Sequence, residues 1–210
     1  MDLYKMSLWQ IFLAGGPVMW PILLCSIFAL AITIEKFWHL HRIKIDMQGF
    51  LHNVLDNMKR HQTKESLQLC ENTKSPIAHI LKAGILKYDR TRDQIKEAIE
   101  DASLYEIPRL EKNLTALATI AHVSPLLGLL GTVTGMVRAF QVIQAKATSF
   151  HPVSPGDLAG GIWEALITTV AGLAVAIPTF VAYNYLVSRI NNFILEMEKA
   201  ATELVNFLTE

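Results

Sequence analysis

Three stretches of this 210-residue chain contain no aspartate, glutamate, lysine or arginine: Met6 to Ile34, Asn113 to Val137 and Ala165 to Ser188. Each exceeds the roughly 20 residues that cross about 30 Å of hydrocarbon as a helix. The runs are continuously apolar rather than alternating, which excludes the strands of a membrane barrel. Enzyme spacings are missing too: there is no His-Glu-x-x-His, no Gly-x-Ser-x-Gly, no Walker loop, and no Cys or His cluster with metal spacing. The expectation is a protein that is not an enzyme and needs no metal or cofactor. Only two cysteines occur. Cys25 lies in the first apolar run and Cys70 in the polar region after it, so two small apolar fillers fit better than a disulfide framework. Formal net charge is zero, and no basic stripe interleaves with aromatics, which argues against nucleic acid as a partner. No internal repeat is present, and three spans without inverted repeats give no alternating-access transporter.

What is there is apolar: 51% of residues, with a mean hydropathy of +0.31. The fold expected is an all-α membrane protein with three transmembrane helices. Residues 1–38 form an outside segment and the first span, read as a retained anchor. It is too long for a signal peptide, has only Lys5 ahead of it, and shows no clear small-residue cleavage site before Glu35 and Lys36. Residues 39–112 form a cytoplasmic helical region, 113–146 the second span and its outer end, and 147–154 a short periplasmic loop. Residues 155–188 form the third span and 189–210 a cytoplasmic helix.

Basic residues set the orientation. Of 19 Lys and Arg, the first loop and the tail hold 14 + 2 = 16 and the other side holds 3. The positive-inside rule then places the amino terminus outside and the carboxyl terminus in the cytoplasm.

Helix signals recur in the polar regions. Ile45, Leu51, Val54, Leu55 and Met58 approximate one apolar stripe. Ser75-Pro76 reads as an N-cap with proline at the first helical position, followed by a face of Ile77, Ile80, Leu81, Ile85 and Tyr88. Thr91 to Gln94 matches a capping box. From there a helical pattern runs into the second span and on to about Lys146, roughly 80 Å at 1.5 Å per residue, with bends at Pro108 and Pro125. Ser154-Pro155-Gly156-Asp157 caps the third span, and its tail keeps a seam at Ile190, Phe193, Ile194, Met197, Ala201, Leu204 and Leu208 that must be buried against something. The second and third helices are expected to form a long antiparallel hairpin reaching into the cytoplasm.

The residue of greatest interest is Glu164, at the head of the third charge-free run, with Thr168, Thr169 and Gly172 below it at helical spacings. A carboxylate entering a spanning helix is expensive and faces a protein interior or a watery path. That helix alone equally admits a glutamate snorkelling to the headgroups. On the second span, Gly128, Gly131, Thr132, Gly135 and Ala139 mark a small-residue face where backbones approach closely. Packing within the chain accounts for some of these residues; five positions argue for association between subunits as well. His39 and His41, two apart, are poorly placed for a shared ligand site and read as interfacial. His122 is expected to be buried at the inner end of the second span, as a satisfied interior histidine or a proton relay.

Pro125 to Gly135, PLLGLLGTVTG, followed by Phe140, resembles the second-span signature of the ExbB/TolQ/MotA proton-channel family. Gly161 to Pro178, GIWEALITTVAGLAVAIP, resembles its third-span signature. Gly15 to Leu23, GGPVMWPIL, followed by Glu35-Lys36, resembles the first span of three-span ExbB/TolQ-type members. The resemblance implies a homo-oligomeric ring, usually of five copies, in the bacterial inner membrane. The ring would surround two transmembrane helices of an ExbD/TolR-like partner bearing an intramembrane aspartate. A TonB/TolA-like transducer would receive the resulting motion. It implies a proton pathway at Glu164, Thr169 and Thr132, with Gly128, Gly131, Gly135, Gly172, Pro125 and Pro178 serving helix packing and ring assembly. His122 and Thr134 depart from the common pattern, which bears on the partner's identity. The function so implied is coupling of proton motive force to envelope work such as TonB-type transport; the alternative is a non-conducting scaffold for a helical assembly.

Overall fold

The computed structural model describes residues 7–43, 45–148 and 154–209, so the outermost amino-terminal segment and residues 149–153 of the expected periplasmic loop lie outside it. Among the described residues eight helices follow in order: α1 Leu8–Ala14, α2 Met19–Ile43, α3 Met47–Lys59, α4 Thr63–Asn72, α5 Pro76–Ile85, α6 Arg92–Glu111, α7 Leu114–Thr148 and α8 Pro155–Thr209. Three helical stretches are long and apolar enough to cross a membrane. The chain is a multi-pass membrane protein.

Two features correct the sequence reading. The first apolar run is not one helix. Ser7 Oγ accepts from the Gln10 amide while Gln10 Oε1 accepts from the Ser7 amide, a reciprocal cap that starts α1. The chain then turns through Gly16 at φ +69, a left-handed conformation that glycine tolerates and other residues resist. The span proper begins at Met19. Likewise the helix expected from residue 92 to 146 is two helices: α6 ends at Glu111, and Asn113 adopts φ 67 before α7 starts. Asparagine is among the few non-glycine residues that enter this region readily. By contrast Pro108, Pro125 and Pro178 all lie inside continuous helices.

The chain forms two compact units. The first draws on residues 1–34 and 113–184. Val18, Met19, Ile22 and Ile167 form a core there, with Phe12, Leu127, Trp163 and Val175 packed on it. Only 17%, 28% and 33% of the apolar windows of the three spans are buried within the chain, so most of this apolar surface must meet lipid or another chain.

The second unit, residues 35–112 and 185–210, is built like a soluble helical domain. Val54, Cys70, Ile77, Leu81, Ile85, Ile95, Leu186 and Leu204 are essentially fully buried. Burying an aliphatic side chain contributes about 1.5–3 kcal/mol, and this interior is rich in them. The α8 seam is satisfied here: Ile190, Met197, Ala201 and Leu204 are buried within the chain, so the seam by itself no longer requires a second subunit. Ser75 and Thr91 do stand at N-cap positions, but neither side chain caps its helix. Ser75 Oγ donates instead to the Ile43 carbonyl, 3.4 Å away.

Candidate functional site

The glycines of α7 set the register of the first unit. A Cβ on Gly172 would lie 2.6 Å from the Ser124 carbonyl oxygen, and one on Gly128 would lie 3.1 Å from that of Thr168. One on Gly135 would lie 2.6 Å from that of Gly161. As numbers rise along α7 they fall along α8, so the two helices run antiparallel in near backbone contact. The small-residue face, Gly131 included, is therefore occupied within the chain. It is consumed by the α7–α8 interface and does not itself argue for contact between subunits. Pro125 is half-buried and Pro178 exposed on these helices.

That register brings Arg138 on α7 opposite Glu164 on α8. Arg138 Nη1 donates to Glu164 Oε1 at 2.5 Å, with the glutamate side chain 13% exposed and the arginine 49%. Charge-assisted bonds of this kind are stronger than neutral ones. Gly16, in the α1–α2 turn, completes the site: a Cβ there would overlap Glu164 Oε1 and lie 3.2 Å from Arg138 Nη1. The carboxylate is thus enclosed by α7, α8 and a turn that only glycine fits.

The threonines are separate from this pair. Thr168 is fully buried, and its hydroxyl donates to the carbonyls of Ala165 at 2.9 Å and Glu164 at 3.1 Å. Thr169 donates to Ala165 at 3.1 Å and, across the interface, to Gly128 at 3.3 Å. Thr132 donates to Leu129 at 2.6 Å. All three thus spend their hydroxyl protons on backbone carbonyls and keep oxygen lone pairs as acceptors. His122 corrects the expectation of a buried histidine: it is exposed, with Nδ1 2.7 Å from the Ala118 carbonyl oxygen and its ring edge-on to Phe180.

The sequence reading missed Arg138 and Gly16 as site residues. Arg138 closes the second charge-free run and Glu164 opens the third; an antiparallel register places those two boundaries side by side. Chemically the site offers one protonatable carboxylate, held by a counter-ion that cannot give up its own proton, at the end of an apolar helix pair.

Residues 72–199 match the MotA/TolQ/ExbB proton channel family. A Synechocystis protein described as ExbB-like 3, of the biopolymer transport type, is 34% identical over 172 residues, 82% of this chain and 81% of its own length. The biopolymer transport protein exbB1 of Vibrio cholerae is 29% identical over 175 residues, covering 82% and 75% respectively. The Tol-Pal system protein TolQ of Haemophilus influenzae is 47% identical over 87 residues, 41% of this chain and 36% of that protein.

Proposed function

Because the chain belongs to the MotA/TolQ/ExbB proton channel family, we propose that it is a proton-conducting subunit of an ExbB/TolQ-type energy-transducing complex. Proton motive force would drive work in the cell envelope, of which TonB-type transport is one form. The observation that carries this reading is the placement of Glu164, a mostly buried carboxylate at the head of a charge-free helix. A proton crossing the membrane releases roughly 2.3 kcal/mol per 100 mV, of the order of a useful conformational bias. Thr169 and Thr132, whose hydroxyl oxygens remain acceptors, are assigned to the same path.

The assembly we envisage is a closed homopentameric ring in the inner membrane, amino terminus periplasmic and carboxyl terminus cytoplasmic. An ExbD/TolR-like single-span dimer would sit within the ring and a TonB/TolA-like transducer beyond it. Outward apolar side chains support further contacts for α7 and α8: Leu126, Val133, Val170 and Ile177 are each more than half exposed. The basic asymmetry supports the orientation. A continuous α8 of 55 residues is compatible with the long hairpin.

A second reading is favoured by one specific observation. Glu164 is already paired with an arginine of its own chain, as a purely structural carboxylate in a non-conducting scaffold would be. One experiment separates the two. The complex, co-purified with its single-span partner and placed in liposomes under an imposed potential, is assayed for proton uptake with a fluorescent pH probe. Conduction predicts that Glu164→Gln abolishes uptake while the complex stays assembled; undiminished uptake would return Glu164 to the scaffold.

A further inference from the structure

The geometry points to Arg138 as the positioning residue that controls when Glu164 accepts a proton. This rests on the reading of Glu164 as the proton carrier. Three observations converge. Arg138 Nη1 bonds Glu164 Oε1 directly. The carboxylate is mostly buried while the guanidinium is half in the open, so Arg138 lies on the accessible side of the group it covers. The turn at Gly16 lies against the pair, where an added Cβ would overlap Glu164 Oε1 and lie 3.2 Å from Arg138 Nη1.

The physical consequence follows from the charge. A guanidinium beside a carboxylate favours its ionised form, and arginine stays protonated under any physiological condition. Arg138 therefore cannot relay a proton and acts only as a counter-ion. Loading Glu164 requires the pair to open. The half-exposed arginine is the partner free to swing outward, because Glu164 is flanked by α7 and the turn. Among the described residues Arg138 is the charged group that faces Glu164 from α7, and the Gly15–Pro17 turn brings none. A channel closed this way stays shut until something draws Arg138 away.

The test uses the complex in liposomes with proton uptake followed from pH 5 to pH 9. Arg138→Gln removes the counter-ion and keeps polarity. We expect its uptake to exceed the wild-type rate several-fold across that range, because the group that keeps the carboxylate paired is gone. Arg138→Lys, which restores the charge, should return uptake most of the way to the wild-type rate. A wild-type profile in assembled Arg138→Gln would overturn the inference and reduce Arg138 to a packing residue. Should Arg138→Gln fail to assemble, Arg138→Met, apolar and compatible with the membrane, is measured against the same expectation. Glu164→Gln serves as the control: no uptake in it with a wild-type profile in the arginine variants rejects only the role of Arg138. Full uptake in it rejects the carrier role of Glu164 and this inference together.

Discussion

The ammonium of Lys36 donates to the carbonyl oxygen of Leu110 at 3.0 Å, and the lysine is only 1% exposed. The carbonyl is open to it because α6 ends one residue later and Asn113 turns into the left-handed region. The last carbonyls of a helix have no intrahelical donor and attract cations through the helix dipole. Lys36 thus serves as the cap that α6 lacks in its own sequence.

Replacing Lys36 by methionine keeps the aliphatic stem and removes the donor. A buried carbonyl left unsatisfied costs about 1–3 kcal/mol. We expect the thermal midpoint of the detergent-solubilised protein to fall, with uptake per assembled complex retained. An unchanged midpoint would show that water replaces the ammonium at no cost.

Cys70 supplies a pH prediction outside the membrane spans. Burial pushes its thiol up to about 11 from an ordinary value near 9.0, with the neighbouring Lys82 opposing and Glu71 adding to the shift. A group whose folded-state pKa is raised contributes stability that is fully present below its unfolded pKa and is lost as pH rises through the folded one. The second unit should therefore weaken between about pH 9 and 11, and Cys70→Ala should flatten that dependence. Maleimide should leave Cys70 unmodified at pH 7 until the unit opens, because the reactive species is the thiolate. Rapid native labelling would contradict the burial.

The three spans were legible from sequence because the absence of charge over a helix-long run is a strong signal. The breaks inside these patterns were harder to see. Gly15-Gly16-Pro17 carried ordinary punctuation, but uniform apolarity outweighed it. Asn113 carried little warning, since one residue entering the left-handed region leaves helical periodicity intact on both sides. Glu164 stood out because it interrupts apolarity. Arg138 did not, because its meaning depends on the register with α8, a tertiary property fixed by which glycines meet which carbonyls. The apolar seam of α8 was legible as a face to be buried; what covers it was not, and the answer is the rest of the chain's own second unit.

Glycine substitutions on α7 should differ in severity, although composition treats them alike. An added methyl at Gly135 would meet the Gly161 carbonyl oxygen, and one at Gly161 would meet that of Gly135 at 2.5 Å. Backbone on both sides cannot yield without separating the helices. At Gly131 the methyl would meet the side chain of Thr168, including its Cβ, which no rotamer change can move. At Gly128 the nearest atoms lie 3.1 Å away, a contact that a small shift relieves. Overpacking costs typically 1–3 kcal/mol. We expect Gly131→Ala, Gly135→Ala and Gly161→Ala at the upper end and Gly128→Ala at the lower, read as yield and thermal midpoint in detergent; equal losses at all four would contradict this register.

Thr169 decides whether the hydroxyls take part in transport or only join helices. Its proton is directed to Ala165 and Gly128, so the oxygen remains an acceptor that a protonated group or water can approach. Thr169→Val keeps the shape and removes both the cross-helix bond and the acceptor; Thr169→Ser keeps both and removes a methyl. If the hydroxyl only joins α7 to α8, Val should lower the thermal midpoint by the equivalent of about 0.5–1.5 kcal/mol and leave uptake per assembled complex unchanged. If it lies on the proton path, Val should slow uptake several-fold beyond any loss of assembled protein, and Ser should restore it. We expect the second result only with the single-span partner present. The stretch Leu173 to Ile177 below Thr169 consists of apolar residues alone, and unpaired charge at that depth is strongly disfavoured. Liposomes holding this protein alone should therefore leak few protons, with wild type and Thr169→Val alike. Equal large fluxes with and without the partner would instead mean that this chain completes the path by itself.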